Sequence, residues 1–184
     1  MNMKNSRGAE LAKNTAIITI GKISTQFVSF LLLPLYTAVL STSEYGMVDF
    51  ITTLIQFLIP IVTLMIDQGV FRFLLTSNND RSKKSIITGS IVFQSIINLV
   101  TLALGIIIYL VNKNQYIIWL LLILTATSYT NLIFQIARGL KKTSDYALGS
   151  FICSLITIVL NVLFIVGMKF GAIGMLAATF SGNL

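Results

Sequence analysis

The sequence predicts an all-α protein, a polytopic bundle of transmembrane helices, and three observations carry that prediction. Of its 184 residues 55% are hydrophobic and only 10% charged, with a mean hydropathy of +0.89; a soluble domain of this size would need far more charge to cover its surface. Apolar runs of about 20 residues, the length that crosses a bilayer core, recur along the chain. The charges collect in the short loops between those runs, and backbone polar groups in lipid must be satisfied within the segment, which leaves helices as the spanning element.

The first 14 residues, "MNMKNSRGAELAKN", form a basic tail. The apolar stretch after them runs to about Leu40. That is too long for a signal-peptide core and lacks a small-residue cleavage site, so it reads as a retained first span. Residues 15–184 then form one transmembrane unit. Five complete spans fall at 15–40, 47–72, 86–111, 116–138 and 146–168, and a sixth, 171–184, is incomplete. At 1.5 Å per residue its 14 residues reach about 21 Å against a core of about 30 Å. The chain is therefore expected to be the N-terminal part of something longer.

Basic residues set the orientation. Lys4, Arg7 and Lys13 precede the first span; Arg72, Arg81, Lys83 and Lys84 follow the second; Arg138, Lys141 and Lys142 follow the fourth. The alternate loops hold only Lys113 and Lys169. This asymmetry places the N-terminus in the cytoplasm, and Tyr36, Tyr45, Tyr109, Tyr116 and Trp119 then gather at the outer interface as an aromatic belt.

Composition also excludes chemistry. The chain has no histidine, and its one cysteine, Cys153, lies in an apolar run. No disulfide framework, cysteine metal cluster or cofactor site is expected. No clustered nucleophile or acid/base pair is visible, so an enzyme is not expected. The net charge of +7 is spread over loops, which points to membrane topology and away from nucleic acid.

Each complete span carries one polar stripe. In the first it is Thr15, Thr19, Lys22, Gln26 and Ser29; in the second Asp49, Thr52 or Thr53, Gln56, Pro60, Thr63 and Asp67. The third has Gln94, Asn98, Thr101 and Gly105, the fourth Thr127, Asn131, Gln135 and Arg138, the fifth Ser150, Ser154, Thr157 and Asn161. Spacings of three and four put each set along one helix face. Small and polar residues of this kind glue membrane helices together, and that reading suits the fifth span. The first two stripes include ionisable groups, which by default face a bundle interior or a wet cavity. The cavity candidates are Lys22, Gln26, Gln56, Asp67, Arg72, Asn98, Gln135 and Arg138.

Lys22 and Asp67 sit at matching depth on adjacent antiparallel spans and form a candidate ion pair. Asp67 and Arg72, five residues apart, are about 140° apart on a helix and are not expected to pair. Arg72 admits two readings, a snorkelling anchor at the interface or a guanidinium at a cavity mouth suited to phosphate; Arg138 is open in the same way. Pro34 and Pro60 each remove a backbone hydrogen bond and bend their spans.

Several stretches carry a resemblance. "KNTAIITIGKISTQFVSFLLLPLYTAVLSTSEYGMVDF", "DQGVFRF", "ARGLKKTSDYALGS" and "FGAIGMLAATFSGNL" resemble, in this order, successive parts of the polysaccharide-repeat flippases. These are the O-antigen and teichoic-acid exporters of the multidrug/oligosaccharidyl-lipid/polysaccharide exporter superfamily. The resemblance implies a bundle of about 12 to 14 helices in two pseudo-symmetric lobes, this chain being most of the first. It implies passage of undecaprenyl-diphosphate-linked oligosaccharide across the cytoplasmic membrane through a cationic cavity. Lys22, Arg72 and Arg138 would then meet pyrophosphate or acidic sugars. The implied partners are membrane lipid, the lipid-linked glycan, a missing C-terminal lobe, a polysaccharide polymerase and glycosyltransferases. Two alternatives stand beside it: a cation-coupled multidrug antiporter of the same superfamily, and a helix-bundle subunit that transports nothing.

Overall fold

A computed structural model describes Thr15, Thr19, Phe30, Leu33, Pro34 and residues 36–184. The described residues form helices joined by short turns, as predicted: α1 Thr42–Thr63, α2 Ile66–Thr76, α3 Asp80–Asn112, α4 Gln115–Gly139, α5 Thr143–Asn161 and α6 Gly171–Gly182, with α5 continuing into a π-helical turn, Val162–Gly167. By length and apolarity α1, α3, α4 and α5 with its π-turn can each cross a membrane, and α6 is a shorter apolar helix. The first predicted span lies mostly outside the described residues, and with it Lys22 and Gln26.

Local sequence explains where the helices start. Ser41 caps α1 in a capping box: its hydroxyl accepts from the Glu44 N–H, and the Glu44 carboxylate accepts from the Ser41 N–H at 3.0 Å. The same carboxylate accepts the Ser41 hydroxyl at 2.7 Å and lies where a Cβ on Gly171 would fall. Gly171 has φ +57°, a conformation that suits glycine. The "EYG" stretch thus ties the start of α1 to the start of α6. Asn79 and Asn114 cap α3 and α4 by accepting from Arg81 N–H and Tyr116 N–H, each at 3.0 Å. An asparagine at this position meets one of the N–H groups a helix start leaves without a partner.

The second predicted span, 47–72, divides. Leu64 and Met65 both take left-handed backbone conformations, φ 51° and 52°, so α1 ends at Thr63 and α2 begins at Ile66. Pro60 lies inside α1 and leaves the carbonyl one turn earlier, at Gln56, without its helical donor. The break itself comes four residues later, where the Met65 N–H donates to the Thr63 hydroxyl at 3.3 Å. Left-handed conformations cost non-glycine residues about 1–2 kcal/mol each, so packing on both sides must hold the joint.

That packing centres on α4, which contacts α1, α2, α3, α5 and α6. Val48, Ile51 and Ile55 of α1 meet Ile123 and Leu124 of α4 and Ala172 and Leu176 of α6. Val70 and Leu74 of α2 meet Leu132 of α4, with Ile86 and Ile87 of α3 alongside. Lipid is as apolar as these side chains, so close van der Waals fit decides such interfaces. Small residues make the fit: a Cβ on Gly105 of α3 would overlap the Leu121 side chain, and one on Gly182 of α6 would overlap Thr157 of α5. Gly174, Ala178 and Gly182 follow at intervals of four along α6, and all are buried.

Candidate functional site

The joint at Leu64–Met65 restarts the helix two residues before Asp67, which falls in the first turn of α2. A carboxylate there faces the positive end of the helix dipole. The Gln68 side-chain amide donates to Asp67 Oδ2 at 3.0 Å. From Asp67 the next residues on the same face are Phe71 and Leu74, at offsets of four and seven. Leu74 is buried against Gly139, where a Cβ would overlap it and crowd the Phe71 carbonyl. The missing side chain at Gly139 lets α2 close on the last turns of α4 and brings Phe71 to Arg138.

Arg138 is held on three sides. Its guanidinium carbon lies 4.8 Å from the centroid of the Phe71 ring on α2 and 5.5 Å from that of Tyr146 on α5. Both distances are within reach of cation–π attraction, which strengthens where water is scarce. One guanidinium N–H donates to Gln135 Oε1 at 3.0 Å. Tyr146 is set in turn by Phe134, edge to face at 5.3 Å. A guanidinium has five N–H donors, so most remain available.

These residues line a cavity of about 220 Å³ bounded by Asp67, Gln68, Asn131, Phe134, Gln135, Arg138 and Tyr146. Asp67 and Arg138 share it without forming an ion pair. Among the described residues the ion pairs are Lys83–Asp80 at 3.6 Å and Lys142–Asp145 at 3.9 Å, both at the surface. The cavity therefore offers a carboxylate acceptor, amides of both characters and a cation whose free donors form a planar fork. Such a fork matches phosphate or carboxylate oxygens two at a time. Among the described residues no group of histidine, cysteine, aspartate and glutamate is placed to hold a metal ion.

The structure sorts the sequence-derived candidates. It brings Asp67, Gln135 and Arg138 into one cavity. Arg72, turned away from Asp67 and Phe71, is exposed and does not line it. Gln56 is exposed on α1, and Asn98 is 4% exposed within the bundle. Lys22 and Gln26 lie outside the described residues, and so does the Lys22–Asp67 pair. Asp67 and Arg72 form no ion pair, as helical geometry predicts.

Sequence reasoning missed Gln68, Phe71, Phe134 and Tyr146. Phe71 could have been found from its spacing to Asp67. Tyr146 could not, because only the turn between α4 and α5 brings it over Arg138.

A second polar cluster has a different character. The Gln94 amide donates to Asn98 Oδ1 at 3.2 Å, and Ser128 Oγ of α4 lies 3.1 Å from the same oxygen. Tyr129 donates to Ser95 Oγ at 2.8 Å beside it. Gln94, Asn98 and Ser128 are 0%, 4% and 1% exposed. This cluster is sealed between α3 and α4.

A helical membrane bundle with an arginine-bearing polar cavity between α2, α4 and α5 defines the class. A profile of the polysaccharide biosynthesis protein family matches residues 11–184, nearly the whole chain. This protein belongs to that family, is a membrane protein, and has its role in polysaccharide biosynthesis. Neither the curated proteins nor the solved structures contain a match to it.

Proposed function

We propose that this chain forms part of a flippase that moves undecaprenyl-diphosphate-linked oligosaccharide units across the plasma membrane for surface polysaccharide assembly. It acts as a transporter and not as an enzyme. The observation that supports this most is the Arg138 guanidinium, stacked between Phe71 and Tyr146 with free donors toward a polar cavity. An exposed anchoring arginine would need no such holder.

The cavity is smaller than the roughly 300–1,000 Å³ of pockets that enclose a drug-sized ligand. It suits a phosphate group and not a whole oligosaccharide. On this reading the carrier's diphosphate is the handle, and the glycan occupies space beyond this wall. With the N-terminus in the cytoplasm, as the distribution of basic residues supports, the cavity lies toward the cytoplasmic leaflet, where lipid-linked units are made. Membrane lipid, a second lobe, glycosyltransferases and a polymerase are the partners this activity requires.

Complementation tests the reading. In cells lacking the native transporter, the full-length protein carrying Arg138→Ala should leave lipid-linked units accumulating in the cytoplasmic leaflet, at normal expression. Surface polysaccharide at the wild-type level with Arg138→Ala would refute it.

A further inference from the structure

The sealed cluster between α3 and α4 does not close on itself. Among the described residues Gln94 Oε1 and Asn98 Nδ2 are buried and have no hydrogen-bond partner. Side-chain amides can be turned by 180°, but turning both leaves the same tally. Gln94 Nε2 and Asn98 Oδ1 then occupy the two unpartnered places. In either arrangement one donor and one acceptor remain unpaired, on side chains one helical turn apart.

Leaving both empty is costly, because a buried polar group without a partner loses its hydration and gains nothing in return. The cost is felt fully at the middle of a bilayer, and Gln94 lies about 20 Å along α3 from its start. Nothing from outside the bundle can reach these atoms, since Gln94 is 0% and Asn98 4% exposed. The ligand must therefore be small and internal, and must both accept and donate. A metal cation would serve the acceptor and repel the amide N–H; an anion would do the reverse. Water does both, and buried waters usually make about three hydrogen bonds.

We infer that one water molecule is bound between α3 and α4, accepting from the Asn98 amide and donating to the Gln94 carbonyl oxygen. The water joins two amides one helical turn apart on α3, at the contact with α4, and is independent of the Arg138 cavity.

Water-edited solid-state NMR on the full-length protein in lipid bilayers tests this directly. The Asn98 side-chain amide, assigned by its loss in Asn98→Leu, should receive magnetisation from water early. The backbone amide of fully buried Leu132 serves as the dry reference. Gln94→Met keeps the shape but removes the acceptor, and should slow transfer to Asn98. Build-up at Asn98 as slow as at Leu132 overturns the inference. Fast build-up that is unchanged in Gln94→Met overturns the bridge between the two amides. Should Gln94→Met fail to fold, the wild-type comparison with Leu132 decides.

Discussion

Two polar clusters meet on α4 and share amide chemistry, yet they differ in almost everything else. Asn131, Gln135 and Arg138 of α4 open into a cavity at one end of the bundle. Ser128, one turn away, faces Gln94 and Asn98 in a sealed contact with α3. The first cluster has a charged group, aromatic rings that hold it, and space. The second has neutral groups, a helix directly opposite and no access. A polar stripe on a membrane helix becomes a binding wall or an adhesive according to what stands opposite. Opposite Arg138 stand Phe71 and Tyr146, with a void between helices; opposite Ser128 stands a helix brought close by Gly105.

The largest effect that would break this comparison is on transport. Arg138→Ala should lower export about ten- to a hundredfold, the equivalent of one charge-assisted hydrogen bond at about 1.5–3 kcal/mol. Arg138→Lys should fall between, since a lysine keeps the charge but loses the fork and the stacking. Export of labelled polysaccharide in complemented cells measures both, with folding checked by detergent melting. Equal melting and lost export would separate the wall from the adhesive.

Thiol accessibility sharpens the contrast next. In a Cys153→Ser background, cysteines at Gln68 and Asn131 should react with a water-soluble reagent. Cysteines at Asn98 and Ser128 should stay protected until the protein is unfolded. Equal reactivity at all four positions would remove the distinction.

Effects on the adhesive side are smaller and structural. Gly105→Val places a side chain against Leu121 and should cost about 1–3 kcal/mol, the usual range for overpacking. A lower melting temperature without a change in per-molecule transport would be its signature. Ser41→Ala, remote from both clusters, removes one half of the α1 capping box and should cost about 1 kcal/mol, read in the same melting experiment. A larger loss would mean that Glu44 depends on Ser41 to hold the start of α6 as well.

The spans themselves were legible because hydropathy and the alternation of basic loops are local features. The third, fourth and fifth predicted spans overlap α3, α4 and α5 with its π-turn, and α3 starts six residues before the third span. The division of the second span was only half visible. Pro60 announced an interruption, but Leu64 and Met65, where it occurs, carry no turn signal; their left-handed backbone goes with the packing of α1 on α6 and of α2 on α3 beside the α4 they share. Within the site, Asp67, Gln135 and Arg138 were legible as costly groups in an apolar chain. Of their companions only Phe71 carried a signal, its spacing to Asp67; Tyr146 looks like an ordinary interfacial aromatic until the turn between α4 and α5 brings it over Arg138. Asn98 shows the converse: an amide on a clear stripe, whose role depends on a partner helix that periodicity does not reveal.

The Leu64–Met65 joint has a mechanical consequence. A continuous helix is a stiff rod, and a push at one end is felt at the other. Here α1 packs on α4 and α6 through Val48, Ile51 and Ile55, whereas α2 packs on α4 and α3 through Val70 and Leu74. The hinge between them is four backbone torsions and one side-chain hydrogen bond, from Met65 to Thr63. Both halves pack on α4, so the joint sets the segment carrying Asp67 and Phe71 at its own angle against the arginine wall, on the same helix that holds the far half of the span.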